Sequence, residues 1–198
     1  MKKEPKSSNK KIALLIMRIQ PLHNGHTQLI YKALMENDKV IVILGSSQEK
    51  RTKRNPFSTP ERMNMLKQVF GDSSKLKVMA LRDIGATTKQ CWVNYVFNEI
   101  KNQSLEQPTR YYAGDEDNAQ WFDTNNPITN EKLDVLKVDR LKTGIMSATE
   151  IRNSIYNGFD SWKDHTPTCL INMIEEKYPK DLINPMNLSK EEWEKRNV

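Results

Sequence analysis

The 198 residues carry 31 Lys and Arg against 25 Asp and Glu, a formal net charge of +6, with 37% hydrophobic and 28% charged positions. A chain of 23.1 kDa can bury roughly 70% of its extended surface in one core, so no disulfide or metal staple is required. The counts exclude a disulfide framework and a CxxC zinc pair, since Cys91 and Cys169 are the only cysteines, and no apolar run approaches the roughly 20 residues of a membrane span.

Residues 1–10 read as a disordered basic leader with Lys2, Lys3, Lys6 and Lys10, because a block of like charge is normally a solvated tail. Ile12–Met17 is apolar throughout, too short for a signal-peptide core, and closed by Arg18 without a small-residue cleavage site. With two widely separated cysteines, this predicts a protein of the reducing cytoplasm. A turn at Gln20–Gly25 leads into a helix through Leu29, Ile30, Ala33 and Leu34 that stops near Asn37-Asp38. Val40–Leu44 is a second all-apolar strand ending at Gly45-Ser46-Ser47; runs without polar alternation suit strands covered on both faces. Thr59 as N-cap, Pro60 at the first helical position and Gly71 as the stop mark the next helix, with Met63, Leu66 and Phe70 on one face. Leu76–Leu81 is a third strand, and Trp92, Val96 and Ile100 fit a helix. Tyr111–Ala113 is a fourth strand, closed by Gly114-Asp115, and Val135–Val138 a fifth. From Ser147 the pattern is helical, with a second helix from Thr166-Pro167 through Leu170, Ile171, Ile174 and Tyr178, and a short last one capped by Ser189 and Glu192.

Strand and helix in alternation predict an α/β fold, a Rossmann-like doubly wound parallel sheet of about five strands with helices on both faces and a helical C-terminal part. The expected organisation is the leader at 1–10, one domain over 11–180 and a tail at 181–198. Ligands of such sheets sit past the carboxyl ends of the strands.

Two of the three histidines, His23 and His26, follow the first strand directly. Three apart at a helix start they point the same way. Gly25 removes a side chain between them, and the free N–H groups of the helix end suit a phosphate. The plainer alternative is a capping or packing histidine, while a zinc pair lacks Cys, Asp or Glu ligands nearby in sequence. Ser147 and Glu150 form a capping box, with Arg152 close enough to reach back toward the same anion. Alone this is an ordinary capped helix with a surface arginine. Joined to the histidines at one sheet edge, it is far more specific.

His23-Asn24-Gly25-His26 resembles the HxGH signature of the nucleotidyltransferase superfamily, and Ser147-Ala148-Thr149-Glu150-Ile151-Arg152 its late SxTExR-type motif. The string Arg18-Ile19-Gln20-Pro21-Leu22-His23-Asn24-Gly25-His26 resembles nicotinamide-mononucleotide adenylyltransferases of the archaeal type. So do Gly45-Ser46-Ser47-Gln48, the stretch from Arg54-Asn55-Pro56-Phe57-Ser58 to Glu61-Arg62, and Asp83-Ile84 followed by Trp92-Val93. The resemblance implies transfer of AMP from ATP to a pyridine mononucleotide, with pyrophosphate leaving. It implies that His23, His26 and Arg152 are catalytic, and that Arg18, Gln20, Gly25, Gly114, Ser147 and Thr149 join Arg152 around ATP, with Arg18 contacting either the ATP phosphates or the attacking nucleotide. Ser46, Arg54, Asp83 and Trp92 would line the mononucleotide side, although Trp92 also reads as a core aromatic. Mg²⁺ would ride on the ATP phosphates. Met17 stands where the family usually has glycine, Leu22 replaces a frequent phenylalanine, and two more residues separate Asp83 from Trp92 than in the shortest archaeal pattern.

The expected partners are ATP and a pyridine mononucleotide, with no nucleic acid and no membrane. Homo-oligomers are frequent in the family. Competing readings are another HxGH transferase of phosphopantetheine, flavin-mononucleotide or cytidylyl type, a basic nucleic-acid-binding module, and a silent nucleotide sensor on the same fold. The chain has no GxxxxGK[ST] loop and no GxGxxG, which argues against kinase-like and dinucleotide-binding oxidoreductase sites.

Overall fold

The computed structural model describes residues 10–114, 116–138 and 145–184. Residues 1–9 of the expected leader and the expected helix at Ser189 lie outside them. Five parallel strands form one sheet: β1 (Ile12–Met17), β2 (Lys39–Leu44), β3 (Leu76–Ala80), β4 (Arg110–Ala113) and β5 (Asp134–Lys137), in the order β3-β2-β1-β4-β5. The all-apolar runs predicted as strands are strands, with bounds shifted by at most one residue. The chain steps outward from β1 to β3, then returns to β4 on the other side of β1. That reversal puts the switch point between β1 and β4, where ligands of such sheets bind.

The period-2 alternation of strand side chains divides the core. Ala13, Leu15 and Met17 face one cluster with Leu29, Ile30 and Ala33 of α1 (Asn24–Glu36) and Met65 and Leu66 of α2 (Thr59–Phe70). Ile12 and Leu14 face a second cluster with Val93, Val96, Phe97 and Ile100 of α3 (Lys89–Asn102) and Ala119 and Phe122 of α4 (Glu116–Phe122). On the first face α5 (Ala148–Tyr156) contributes Ile151, and α6 (Ile171–Lys177) contributes Ile174. Both faces of the sheet are therefore covered, as the predicted fold class requires.

Several local expectations are corrected. The N-cap of α2 is Ser58, not Thr59: Ser58 and Glu61 form the capping box, and Thr59 Oγ1 instead donates to the Ser47 carbonyl at 2.9 Å. The inner face of α2 is Arg62, Met65 and Leu66, while Met63 is 36% exposed. Gly71 does end the helix, at φ 64°. The stretch after Thr166-Pro167 begins as a 3-10 turn at Thr168–Leu170 before becoming α6. Neither α4 nor the 3-10 turn at Ser161–His165 was expected.

Glu61 shows how one box serves two elements. Burial pushes its carboxyl up, but hydrogen bonds from Arg51 (2.6 Å) and from the backbone and hydroxyl of Ser58 (2.7 and 2.8 Å) outweigh this and leave it below the usual 4.5. A depressed carboxylate stabilises the fold fully above its unfolded value and loses that contribution as pH falls through the folded one. Glu61→Gln should therefore lower stability by about 1–2 kcal/mol near neutrality, the range for a lost cap. The difference from wild type in thermal midpoint should shrink below pH 4.5. A pH-independent difference would contradict the assignment.

Candidate functional site

The loop after β1 carries the histidine pair. His23 is the N-cap of α1, and its Nδ1 accepts the Gly25 N–H at 3.2 Å. In the neutral ring that bond leaves the proton on Nε2, the nitrogen facing away from the helix backbone. The His23 and His26 ring centroids lie 3.7 Å apart at 33°, and both side chains are nearly buried. The expectation of paired imidazoles holds, with His23 capping rather than within the helix. A Cβ built on Gly25 would stand 3.1 Å from His23 Cε1 and 3.2 Å from Nδ1. Glycine here leaves room for the ring. Gly25→Ala should displace that ring by a few tenths of an ångström, preserve the fold and cut turnover about tenfold, since small misplacements of reacting groups are costly. Unchanged turnover in Gly25→Ala would show that the His23 position does not matter.

Two arginines fix this loop from opposite sides, and the first is Arg62, whose Nη1 donates to the Arg18 carbonyl at 2.8 Å. Ile19 has φ 54°, a conformation that branched residues hold only when their surroundings impose it. On its far side the Gln20 carbonyl accepts Arg152 Nη1 at 2.9 Å. Gln20 itself is buried: its Nε2 donates to the Phe57 carbonyl (2.8 Å) and its Oε1 accepts the Phe57 N–H (2.9 Å). The side chain expected near ATP is thus engaged with the loop that leads into α2. Arg152 also donates to the Ala148 carbonyl (3.0 Å) and, through Nη2, to Thr149 Oγ1 (3.2 Å).

Ser147 caps α5 through the predicted box. Its Oγ accepts the Glu150 N–H (3.3 Å) and Glu150 Oε2 accepts the Ser147 N–H (2.7 Å). The turn Ser161–His165 braces both motifs at once. His165 Nδ1 accepts the Met146 N–H (3.3 Å), and the Asp164 carbonyl accepts Asn24 Nδ2 (3.1 Å).

Positive charge accumulates at this edge. Burial, with the neighbouring Arg54, lowers the Arg18 pKa, partly offset by Asp83. Burial also lowers Arg152, with Arg18 and Arg54 adding repulsion and Tyr178 opposing. The three arginines sense one another, so Arg54 on its exposed loop belongs to the same field. Asp83 is held by Gln48, which donates Nε2 to Oδ2 and accepts the Asp83 N–H, both at 3.0 Å.

Two cavities flank the histidines. One of about 490 Å³ is lined by Ile16, Arg18, His26, Ser46, Asp83 and Trp92, with Tyr111, Trp121 and Phe122 supplying aromatic walls. The other, of about 550 Å³, is lined by His23, Gly25, His26, Leu29, Ile145, Ser147 and Thr149. Trp92 is half-buried at the first cavity rather than sealed in the core. Gly114 follows β4 at the same sheet edge. Among the described residues no helix is long and apolar enough to cross a membrane.

A family profile described as cytidylyltransferase-like matches residues 18–154. The nicotinamide-nucleotide adenylyltransferase of Picrophilus torridus is 30% identical over 170 residues, 83% of this chain and 90% of that one. The chain belongs to the cytidylyltransferase-like family, in its nicotinamide-nucleotide adenylyltransferase branch. A solved bifunctional NMN adenylyltransferase/ADP ribose pyrophosphatase from Francisella tularensis superposes with a TM-score of 0.70 at 25% identity, over 90% of this chain and 54% of that one. This chain therefore spans about half of that protein. The same Francisella protein complexed with AMP and a Mn ion gives 0.67 at 27% identity, over 90% and 53%.

Two residues at these cavities have no role in the sequence reading. Trp121 lines the aromatic cavity from α4, a helix of seven residues that carries too little periodicity to be read. Arg62 is completely buried beneath the loops after β1 and β2. It belongs to the family-like stretch ending Glu61-Arg62, and its place on the inner face, three and four residues before Met65 and Leu66, is the local signal of its burial.

Proposed function

We propose that this adenylyltransferase joins a pyridine mononucleotide to the AMP moiety of ATP, giving NAD, or its deamido form from the nicotinate substrate, and pyrophosphate. One observation carries the reading: His26 lines both cavities, so two nucleotides filling them meet at its ring. ATP takes the 550 Å³ cavity, with its triphosphate at the α5 N-terminus and Arg152. The mononucleotide takes the aromatic cavity, its ring against Trp92 and its phosphate toward Arg18, Ser46 and Arg54, with Asp83 at the ribose side.

The 5′-phosphate of the mononucleotide attacks the α-phosphorus of ATP. The bond from that phosphorus to the α,β-bridging oxygen breaks, and pyrophosphate leaves with its electron pair. The nucleophile is already an anion, so the protein need only position it and stabilise charge. His26 donates to the α-phosphate as charge builds there, and His23 Nε2 is the second donor. Arg152, with Ser147, Thr149 and Gly25, holds the β- and γ-phosphates, and Gly114 lets the nucleotide approach β4. Gln20 acts indirectly: its carbonyl holds Arg152 and its side-chain amide holds the Arg54 loop at Phe57. Mg²⁺ enters with ATP as part of the substrate. The reaction belongs in a reducing cytoplasm, in keeping with two free exposed cysteines.

The test is acceptor choice. Purified protein with ATP and Mg²⁺ should form a dinucleotide with nicotinamide or nicotinate mononucleotide, and nothing with phosphopantetheine or flavin mononucleotide. Product from either of the latter alone would move the assignment to another HxGH transferase.

A further inference from the structure

Arg62 lies on the inner face of α2 with no exposed surface. Nη1 donates to the carbonyls of Arg18 and Gly45, both at 2.8 Å. Nη2 donates to Thr59 Oγ1 at 2.8 Å and lies 3.4 Å from the Ser46 carbonyl. Arg18 and Gly45 are the first residues past β1 and β2, where the parallel ladder ends and carbonyls lose their strand partners. One planar fork thus closes the ends of two neighbouring strands, a geometry that lysine cannot reproduce. Immediately after these carbonyls stand Ile19 (φ 54°) and Ser46 (φ 50°). Both are left-handed, which side chains other than glycine adopt only under external constraint. Arg62 supplies that constraint at both turns. Burial lowers its pKa to about 10, with Asp83 opposing, so it remains a cation at neutral pH beneath the cavity that Arg18, Ser46 and Asp83 line.

We propose that Arg62 is a positioning residue for the acceptor: it sets the two left-handed turns that aim Arg18 and Ser46 into the aromatic cavity. The inference rests on that cavity taking the mononucleotide. The ATP side is held independently, because Arg152 grips the other end of the loop at the Gln20 carbonyl. A selective effect follows. Displacing Arg18 and Ser46 weakens the acceptor's phosphate contacts and leaves ATP binding nearly intact.

The experiment measures KM for each substrate, kcat and thermal midpoint in wild type, Arg62→Lys and Thr59→Val. Thr59→Val removes the hydroxyl that accepts from Nη2 and donates to the Ser47 carbonyl, keeps the Arg62 fork on the two strand-end carbonyls, and covers the case in which Arg62→Lys fails to fold. Folded Arg62→Lys should raise the mononucleotide KM about tenfold or more, with the ATP KM within about twofold, in line with the cost of misplacing a binding group by ~1 Å. Thr59→Val should move the same KM in the same direction by about threefold. Equal rises in both KM values, or a mononucleotide KM unchanged in folded protein, would overturn the assignment. A wild type that forms no dinucleotide with either pyridine mononucleotide overturns the functional reading and this inference together.

Discussion

His26→Ala should lower kcat by about 10²–10³-fold, the loss typical of removing one donor to developing charge. The protein should stay folded. His26 borders both cavities and is 7% exposed, so truncation widens existing space rather than opening a void in the apolar clusters. Both KM values should change less than kcat, because the contact strengthens mainly in the transition state. Pyrophosphate release under saturating substrates reads the effect directly. Turnover within tenfold of wild type, in protein with a native thermal midpoint, would mean the α-phosphate reacts elsewhere.

Arg152→Ala combines two losses. The first is electrostatic: a cation beside the α5 N-terminus disappears, and kcat/KM for ATP should fall about 10²-fold or more. The second is structural. The Gln20 carbonyl loses its partner 132 residues away, and an unpaired buried acceptor costs about 1–3 kcal/mol. For a chain of this size that is a fall of roughly 3–10 °C in thermal midpoint. Arg152→Lys should recover part of the ATP term, because charge is kept, but little of the loop term, because the fork is gone. Calorimetry alongside kinetics separates the two. A lysine variant that restores both would show that charge alone matters.

The sheet was legible because β1 and β2 are apolar at nearly every position, which leaves no alternation to misread. The two motifs were legible because each pairs a helix start with groups suited to an anion. Two of the features that escaped, at Gln20 and Arg62, share a physical cause: they depend on partners distant in the chain. Gln20 is expected beside ATP, yet its amide closes on Phe57, 37 residues on. Arg62 stands in a stretch that resembles the archaeal-type family but is given no role there, because nothing local announces the strand-end carbonyls it serves, 17 and 44 residues away. Met63 was placed inward in its stead: the same helical spacing fits two neighbouring faces, and only packing against the sheet chooses between them. Thr59 against Ser58 is a one-residue ambiguity between adjacent hydroxyls, settled by which of them Glu61 reaches. Trp121 was hidden by a helix too short to show a period.

The central claim is that two nucleotides are joined at the α-phosphorus of ATP beside His26. The most direct measurement supplies ATP labelled at the α-phosphate with nicotinamide mononucleotide and Mg²⁺, then follows the label by chromatography. The account predicts label in NAD, unlabelled pyrophosphate in equal amount, and loss of both in His26→Ala. Label remaining in ATP or appearing only as AMP, from folded protein that binds both substrates, would contradict it.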